Sequence, residues 1–226
     1  MPPVEQARSQ LDKVVASLDE AVGDVPDGAI VMVGGFGGAG FPFALREALI
    51  RRRPQGITIV ANNGDFGGLA YEGGLARLIC SYPTGATAKP VNEGVEAGRI
   101  ALQLTPQGTL VERIRAAGAG LGGVLTPTGV GTDFESGYEI LERDGRRWLL
   151  IPPLHADVAL LHAQVADRYG NLVMRHAARN FSPLMAMAAR LTIVEAVTIV
   201  EPGEIDPDQV HVPSAFVDRV APLEAS

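Results

Sequence analysis

The hydrophobic positions of this chain follow two rhythms. Between residues 4 and 22, Val4, Ala7, Leu11, Val14, Val15, Leu18 and Val22 recur at helical spacing and predict one amphipathic helix. From residue 29 onward short unbroken apolar runs take over, each closed by glycine, asparagine or proline. Runs of this length bounded by turn formers read as buried strands. They predict strands at Ile30–Val33, Ile57–Ala61, Ala76–Ser81 and Ile100–Leu104. Helical patterns lie between them at Phe43–Arg52, Lys89–Ala97 and Thr109–Ala117. The last opens on a T-x-x-E capping box, Thr109 with Glu112. Gly68–Gly74 reads as a short helix or a loop.

The second half has a different texture. Gly118–Gly131 is rich in glycine, yet Leu121, Val124, Leu125 and Val130 make it an ordered loop rather than a linker. Glu139–Ile151 predicts a hairpin turning at Arg143-Asp144-Gly145. A strand at Val158–Ala163, a polar turn at Ala166–Asn171, a helix at Phe181–Ala189 and a strand at Leu191–Val200 follow. No segment repeats. Strands alternating with helices predict an α/β fold: one domain over residues 1–226, an open, mainly parallel sheet with helices on both faces and a small β-hairpin insertion.

Charge narrows the function classes. The chain has 226 residues and a formal net charge of -7. No basic stripe offsets that balance, so nucleic acid is not an expected partner. The basic cluster Arg51–Arg53 ends an apolar helix, where cations suit the dipole, and reads as a solvated helix end. Cys80 is the single cysteine, so no disulfide can form within the chain, and a reducing cytoplasm is the expected location. No apolar run approaches the length of a membrane span, and residues 1–20 lack an apolar signal core.

The chemistry concentrates in residues 27–42, DGAIVMVGGFGGAGFP. A strand opens into a loop with glycine at Gly34, Gly35, Gly37, Gly38 and Gly40, and Pro42 stands where a helix begins. Glycine lets bare backbone N–H groups approach a ligand closely, and a negative ligand suits them. Gly35, Gly37 and Gly40 also satisfy G-x-G-x-x-G, with Asp65 as a possible ribose acid, which points to an NAD-dependent oxidoreductase as an alternative. A loop needed only for tight packing is a third reading. Asn62-Asn63 and Gln107-Gly108 fall at the predicted ends of two other strands. In open α/β sheets ligands bind at the carboxyl ends of strands, so these clusters share an expected site.

The string D-G-x-x, three apolar residues, G-G-F-x-x-x-G-x-P resembles the signature of the alpha subunit of family I coenzyme A transferases. Asp27, Gly28, Gly34, Gly35, Phe36, Gly40 and Pro42 occupy its fixed positions. The resemblance continues through residues 104–120, 126–132, 167–172, 178–189 and 201–220. Residues 153–157 and 179–189 are most similar to transferases acting on 3-oxoadipate, with those acting on acetoacetate next. The resemblance implies an enzyme that moves coenzyme A from succinyl-CoA to a 3-oxo acid, with the thioester as substrate and no resident cofactor. It implies a nucleophilic glutamate on a partner beta subunit, in an α2β2 assembly. No matching S-E-N-G motif occurs here; Asn92-Glu93-Gly94 and Tyr71-Glu72-Gly73 read as surface turns. By the same resemblance Gln107 contributes to an oxyanion hole and Asn62 contacts the reacting groups. Gly34, Gly35, Phe36, Gly37, Gly38 and Gly40 line the coenzyme A site. A non-catalytic acyl-CoA-binding protein on the same fold is a further alternative.

Other polar residues carry weaker signals. His155, Asp157 and His162 lack metal-ligand spacing, and no metal is expected. Arg168, Arg175 and Arg179 could fork onto carboxylates or form structural pairs. Met185 and Met187 read as packing. The chain departs from the family pattern at Val130, where a tyrosine is usual, and in a shortened loop after Asn63. Both departures bear on the choice of acyl group.

Overall fold

The structure, a computed structural model, describes residues 11–223. The main sheet has eight strands: β1 (Ile30–Val33), β2 (Ile57–Ala61), β3 (Leu75–Cys80), β4 (Ala101–Leu104), β8 (Ala156–Asp167), β9 (Leu172–Val173), β10 (Ala189–Val200) and β11 (Arg219–Pro222). Their order is β11-β10-β8-β1-β2-β3-β4, every neighbouring pair on that path is parallel, and β9 alone runs antiparallel beside β8. A second sheet holds the remaining three strands, β5 (Val124–Thr126), β6 (Glu139–Arg143) and β7 (Arg146–Ile151), in the order β5-β7-β6. The helices are α1 (Leu18–Val22), α2 (Phe43–Arg52), α3 (Lys89–Glu96), α4 (Gln107–Gly118) and α5 (Ser182–Ala188).

The unbroken apolar runs have a simple cause. A parallel strand flanked by strands is covered on both faces, so its residues feed two cores in alternation. Val31 and Val33 of β1 enter one core, with Ile59 of β2, Leu160 of β8 and Leu45 and Leu49 of α2. Met32 between them enters the other, with Val60, Leu161, Leu110 and Ile114 of α4 and Met185 of α5.

Several expectations are corrected. Residues 4–10 of the expected first helix lie outside the described residues. Within 11–22, Leu11 is helical, residues 12–17 are not, and a second helix covers Leu18–Val22, capped by Ser17, whose Oγ accepts from Glu20 N at 3.1 Å. Val14 instead bridges in parallel to Val220. The capping box at Thr109 does not form. Helix α4 starts two residues earlier, after Pro106, and Thr109 is buried inside it. Asn92 and Glu93 lie within α3 rather than in a surface turn. β8 and β10 run 12 residues each, longer than their apolar runs, because they pair with one another along almost their whole length. The hairpin forms as expected, while β5, β9 and β11 were not anticipated. The Arg51–Arg53 end is less free than expected: Arg51 pairs with Asp19 at 2.6 Å and Arg53 stacks on Tyr71 at 4.2 Å. No helix among the described residues is long and apolar enough to cross a membrane.

One buried charge ties the sheet to a helix. Glu195 of β10 is almost inaccessible, and its carboxylate accepts from the backbone N–H of Leu45 at 2.8 Å. Its other oxygen lies 2.9 Å from Nδ1 of His162, its neighbour on β8. Helix α2 has no side-chain cap of its own, so Glu195 supplies one from across the sheet. Glu195→Ala is expected to destabilise the chain by about 3 kcal/mol, because a helix N–H and a histidine lose their partner in the interior. A urea midpoint no lower than that of the native chain would contradict this.

Cys80 is fully buried, and burial pushes its thiol from the ordinary 9.0 up to about 11. The native chain is expected to resist thiol reagents at about pH 8 and to react once unfolded. The folded chain keeps this proton where the unfolded chain has lost it. The group's contribution is therefore full below pH 9.0 and is lost as pH rises to about 11, readable as a falling melting temperature over that window.

Candidate functional site

Parallel pairing brings the ends of β1, β2 and β4 to one edge. β1 ends at Val33, and the N–H of Gly34 just beyond it donates to Leu160 O at 3.0 Å. The chain then doubles back. Phe36 and Ala39 exchange backbone hydrogen bonds, both 3.0 Å, across Gly37 (φ 56) and Gly38 (φ 88), a two-residue turn that needs left-handed backbone. Gly40 (φ 68) lets the loop approach the 176–181 segment: a Cβ there would lie 2.5 Å from Ala178 O.

Asn180 clamps the two segments. Its Oδ1 accepts from Gly35 N at 3.1 Å and from Phe181 N at 2.7 Å. Its Nδ2 donates to Ala39 O at 2.9 Å and to Ala177 O at 3.0 Å. Asn180 adopts φ 20, ψ -114, a conformation that L residues rarely take, and four hydrogen bonds hold it there. The N–H groups of Gly34, Gly35 and Phe36 are thus bonded within the protein. Those of Gly37, Gly38 and Gly40 have no acceptor among the described residues.

The opposite wall is the start of α4. Gln107 is its first residue, and its Nε2 donates to Asn62 Oδ1 at 3.3 Å. Asn62 is buried at the end of β2, where the same oxygen accepts from Ser81 Oγ at 2.9 Å. No side chain caps α4. Its free N–H groups and the positive end of its dipole are open, with Gly108 leaving the approach unobstructed. Between the walls lies a cleft of about 330 Å³, lined by Phe36, Gln107, Gly108, Val111, Asn180 and Phe181. Asn62 joins it only through Gln107. Phe36 stands half exposed at the rim, and Phe43, Tyr82 and Leu104 are exposed on the same edge of the sheet.

Two expected site residues, Gln107 and Phe36, line the cleft, and Asn62 reaches it through Gln107, whereas Gly34, Gly35, Gly37, Gly38 and Gly40 are not among its lining residues. Asn180, Phe181 and Val111 were not anticipated. The signal for Asn180 was present, an asparagine directly before a helical apolar run, but the partner that gives it meaning is 145 residues away. The other candidates lie elsewhere. Asp157 accepts from Ile30 N at 2.9 Å. His155 is exposed, and His162 serves Glu195. Arg168 pairs with Asp12, which holds its pKa above the ordinary value. Arg175 and Arg179 are exposed and have no acidic partner among the described residues. No group of three or more His, Cys, Asp or Glu among the described residues could hold a metal ion. Neither Glu72 nor Glu93 reaches the cleft, and Glu93 lies 3.8 Å from Lys89.

The dinucleotide reading of the glycine loop fails on geometry. A pyrophosphate would need the N-terminus of α2, and the Glu195 carboxylate already occupies it. Asp65 is also spent locally, accepting from Thr87 N at 2.9 Å and Asn63 Nδ2 at 3.1 Å.

Comparison with known proteins identifies the family. Residues 15–222 match the family model described as "Coenzyme A transferase". The chain is 44% identical over 221 residues to the A subunit of the 3-oxoadipate CoA-transferase of Acinetobacter baylyi, covering 96% of this chain and 97% of that one. It is equally 44% identical, over 209 residues, to the alpha subunit of the acetate CoA-transferase of Escherichia coli, covering 90% and 94%. In fold it superposes on the acyl-CoA transferase YdiF of Escherichia coli O157:H7 with a TM-score of 0.87 at 22% identity, covering 94% of this chain and 47% of that one. A match over nearly the whole chain, with the glycine loop and the α4 terminus set around one cleft, places this protein: it belongs to the coenzyme A transferase family.

Proposed function

We propose that this chain is the alpha subunit of a transferase that moves coenzyme A from succinyl-CoA to a 3-oxo acid, 3-oxoadipate first and acetoacetate second. The observation that carries the reading is the carboxamide of Gln107, set by Asn62 at 3.3 Å on the uncapped terminus of α4. Its side chain lines the cleft beside a helix terminus where negative charge is favoured.

The cleft has donors but no nucleophile. No carboxylate, thiol or hydroxyl side chain is among its lining residues. The half-exposed Phe36 and the exposed Phe43, Tyr82 and Leu104 rim the same edge, a surface suited to a covering chain. We assign the nucleophile to a beta subunit, as a glutamate placed over the cleft in an α2β2 assembly. Its carboxylate attacks the thioester carbonyl, the C–S bond breaks, and an acyl-glutamyl anhydride forms with release of the coenzyme A thiolate. The thiolate attacks the glutamyl carbonyl and expels succinate. The acceptor carboxylate then attacks the glutamyl thioester, and the returning thiolate takes up its acyl group and frees the glutamate. Each addition passes through a tetrahedral oxyanion. Gln107 Nε2 and the first N–H groups of α4 are the donors proposed for it. The thioester is substrate, and the scheme uses no resident cofactor. A reducing cytoplasm suits both the coenzyme A thiolate intermediate and the lone buried Cys80.

The chain, co-expressed with its beta subunit, is expected to form 3-oxoadipyl-CoA from succinyl-CoA, followed by chromatography of the thioesters. Absence of exchange with every 3-oxo acid would overturn the reading, and transfer to acetate alone would reassign the acceptor. In the same complex Gln107→Ala is expected to lower kcat by about a hundred- to a thousandfold with KM little changed. An unaltered kcat would remove Gln107 from the oxyanion site. Asn180→Ala is expected to speed amide exchange at residues 35–40 and to lower kcat/KM by about ten- to a hundredfold, since the loop loses its fixed position. Unchanged exchange there would refute the clamp.

A further inference from the structure

The small sheet leaves one edge open. In the order β5-β7-β6, strand β6 has β7 on one side and no neighbour on the other among the described residues. All five of its residues, Glu139–Arg143, are exposed, and two are large and apolar: Ile140 at 39% and Leu141 at 36%. The hairpin fixes which backbone groups are free. Asp144 (φ 52) and Gly145 (φ 70) form a two-residue turn, so Arg143 and Arg146 make the hydrogen-bonded pair that closes it. By alternation Glu139, Leu141 and Arg143 address their N–H and C=O groups to β7. Ile140 and Glu142 point theirs outward, unmet.

We propose that β6 joins two copies of this chain, strand to strand and antiparallel, about a two-fold axis through Leu141. The sequence Glu139-Ile140-Leu141-Glu142-Arg143 is complementary to itself in that arrangement. Glu139 of each copy faces Arg143 of the other, Ile140 faces Glu142, and Leu141 faces Leu141. The outward groups of Ile140 and Glu142 then meet one another across the axis in register, and the two small sheets become one of six strands.

Charges commonly guard an exposed edge against pairing, and a guard works by setting like against like. Here the pairing sets Glu139 against Arg143 twice. The hairpin alone leaves the opposite problem. Arg143 sits directly across from Arg146, a like-charge pair that costs stability and that the Glu139 of a second copy would offset. Leu141 also shares its face with Leu150 and Leu125, both exposed, so the two faces would merge into one apolar strip centred on the axis. This interface lies in the small sheet rather than at the cleft, and it stands whether or not the transferase reading does.

The test is the number of copies of the full chain per particle, by sedimentation at tens of micromolar, with any partner that copurifies retained. Two copies are expected. Glu139→Arg alone or Arg143→Glu alone is expected to raise the dissociation constant at least about tenfold, by facing like charges twice. The double swap, Glu139→Arg with Arg143→Glu, is expected to return it to within about threefold of the native value. Leu141→Cys should oxidise to a disulfide between copies, since residues facing across a non-hydrogen-bonded site lie about 4.5 Å apart at Cα. One copy per particle in the native chain would overturn the proposal. So would two copies that ignore the single swaps, or a double swap that fails to restore them.

Discussion

Everything at the cleft depends on one constraint, that the strands of the main path all run the same way. Parallel neighbours cannot be joined by tight turns, so the chain returns through helices on the two faces. Every return begins at the same edge. Residues 34–40, 62 and 107, far apart in the chain, are therefore delivered side by side by backbone pairing alone. The fourth participant, Asn180, arrives with the segment between β9 and α5, and its carboxamide locks the delivered loop in place.

The same edge presents two helix termini, and the fold treats them differently. The terminus of α2, next to the glycine loop, is neutralised from within by Glu195. The terminus of α4, next to Gln107, is left bare. A positive dipole end that is already satisfied has little to offer an anion, whereas one left unsatisfied and fronted by glycine can stabilise a charge that appears only briefly. The glycine loop supplies shape and closeness more than donors, because three of its N–H groups are turned inward.

Much of this was legible in the sequence, for definable reasons. The strands β1 to β4 announced themselves because burial on both faces demands unbroken apolar runs. The hairpin announced itself because Asp-Gly is one of the few pairs that accept its turn. The glycine loop stood out by its own pattern and Gln107 by its place at a strand end, and the roles expected of them came from resemblance. What stayed hidden depends on distant partners. β11 and the bridge at Val14 exist because each pairs with a remote strand, and nothing local marks a residue for such pairing. The capping box at Thr109 was misleading because Pro106 could start the helix sooner. Glu195 sits unremarked in an apolar strand and is the cap of a helix 150 residues earlier.

The meeting of Gly40 with Ala178 has a consequence for how such enzymes diversify. There is no room for a side chain between the two backbones, and Asn180 stitches both sides together. The glycine loop and the 176–181 segment therefore form a single heritable module despite the 135 or so residues between them. Recombination that exchanges one without the other would bring together surfaces shaped for different mates. Chimeras that carry both, and leave the sheet untouched, are the natural units in which acyl selectivity can be traded among relatives.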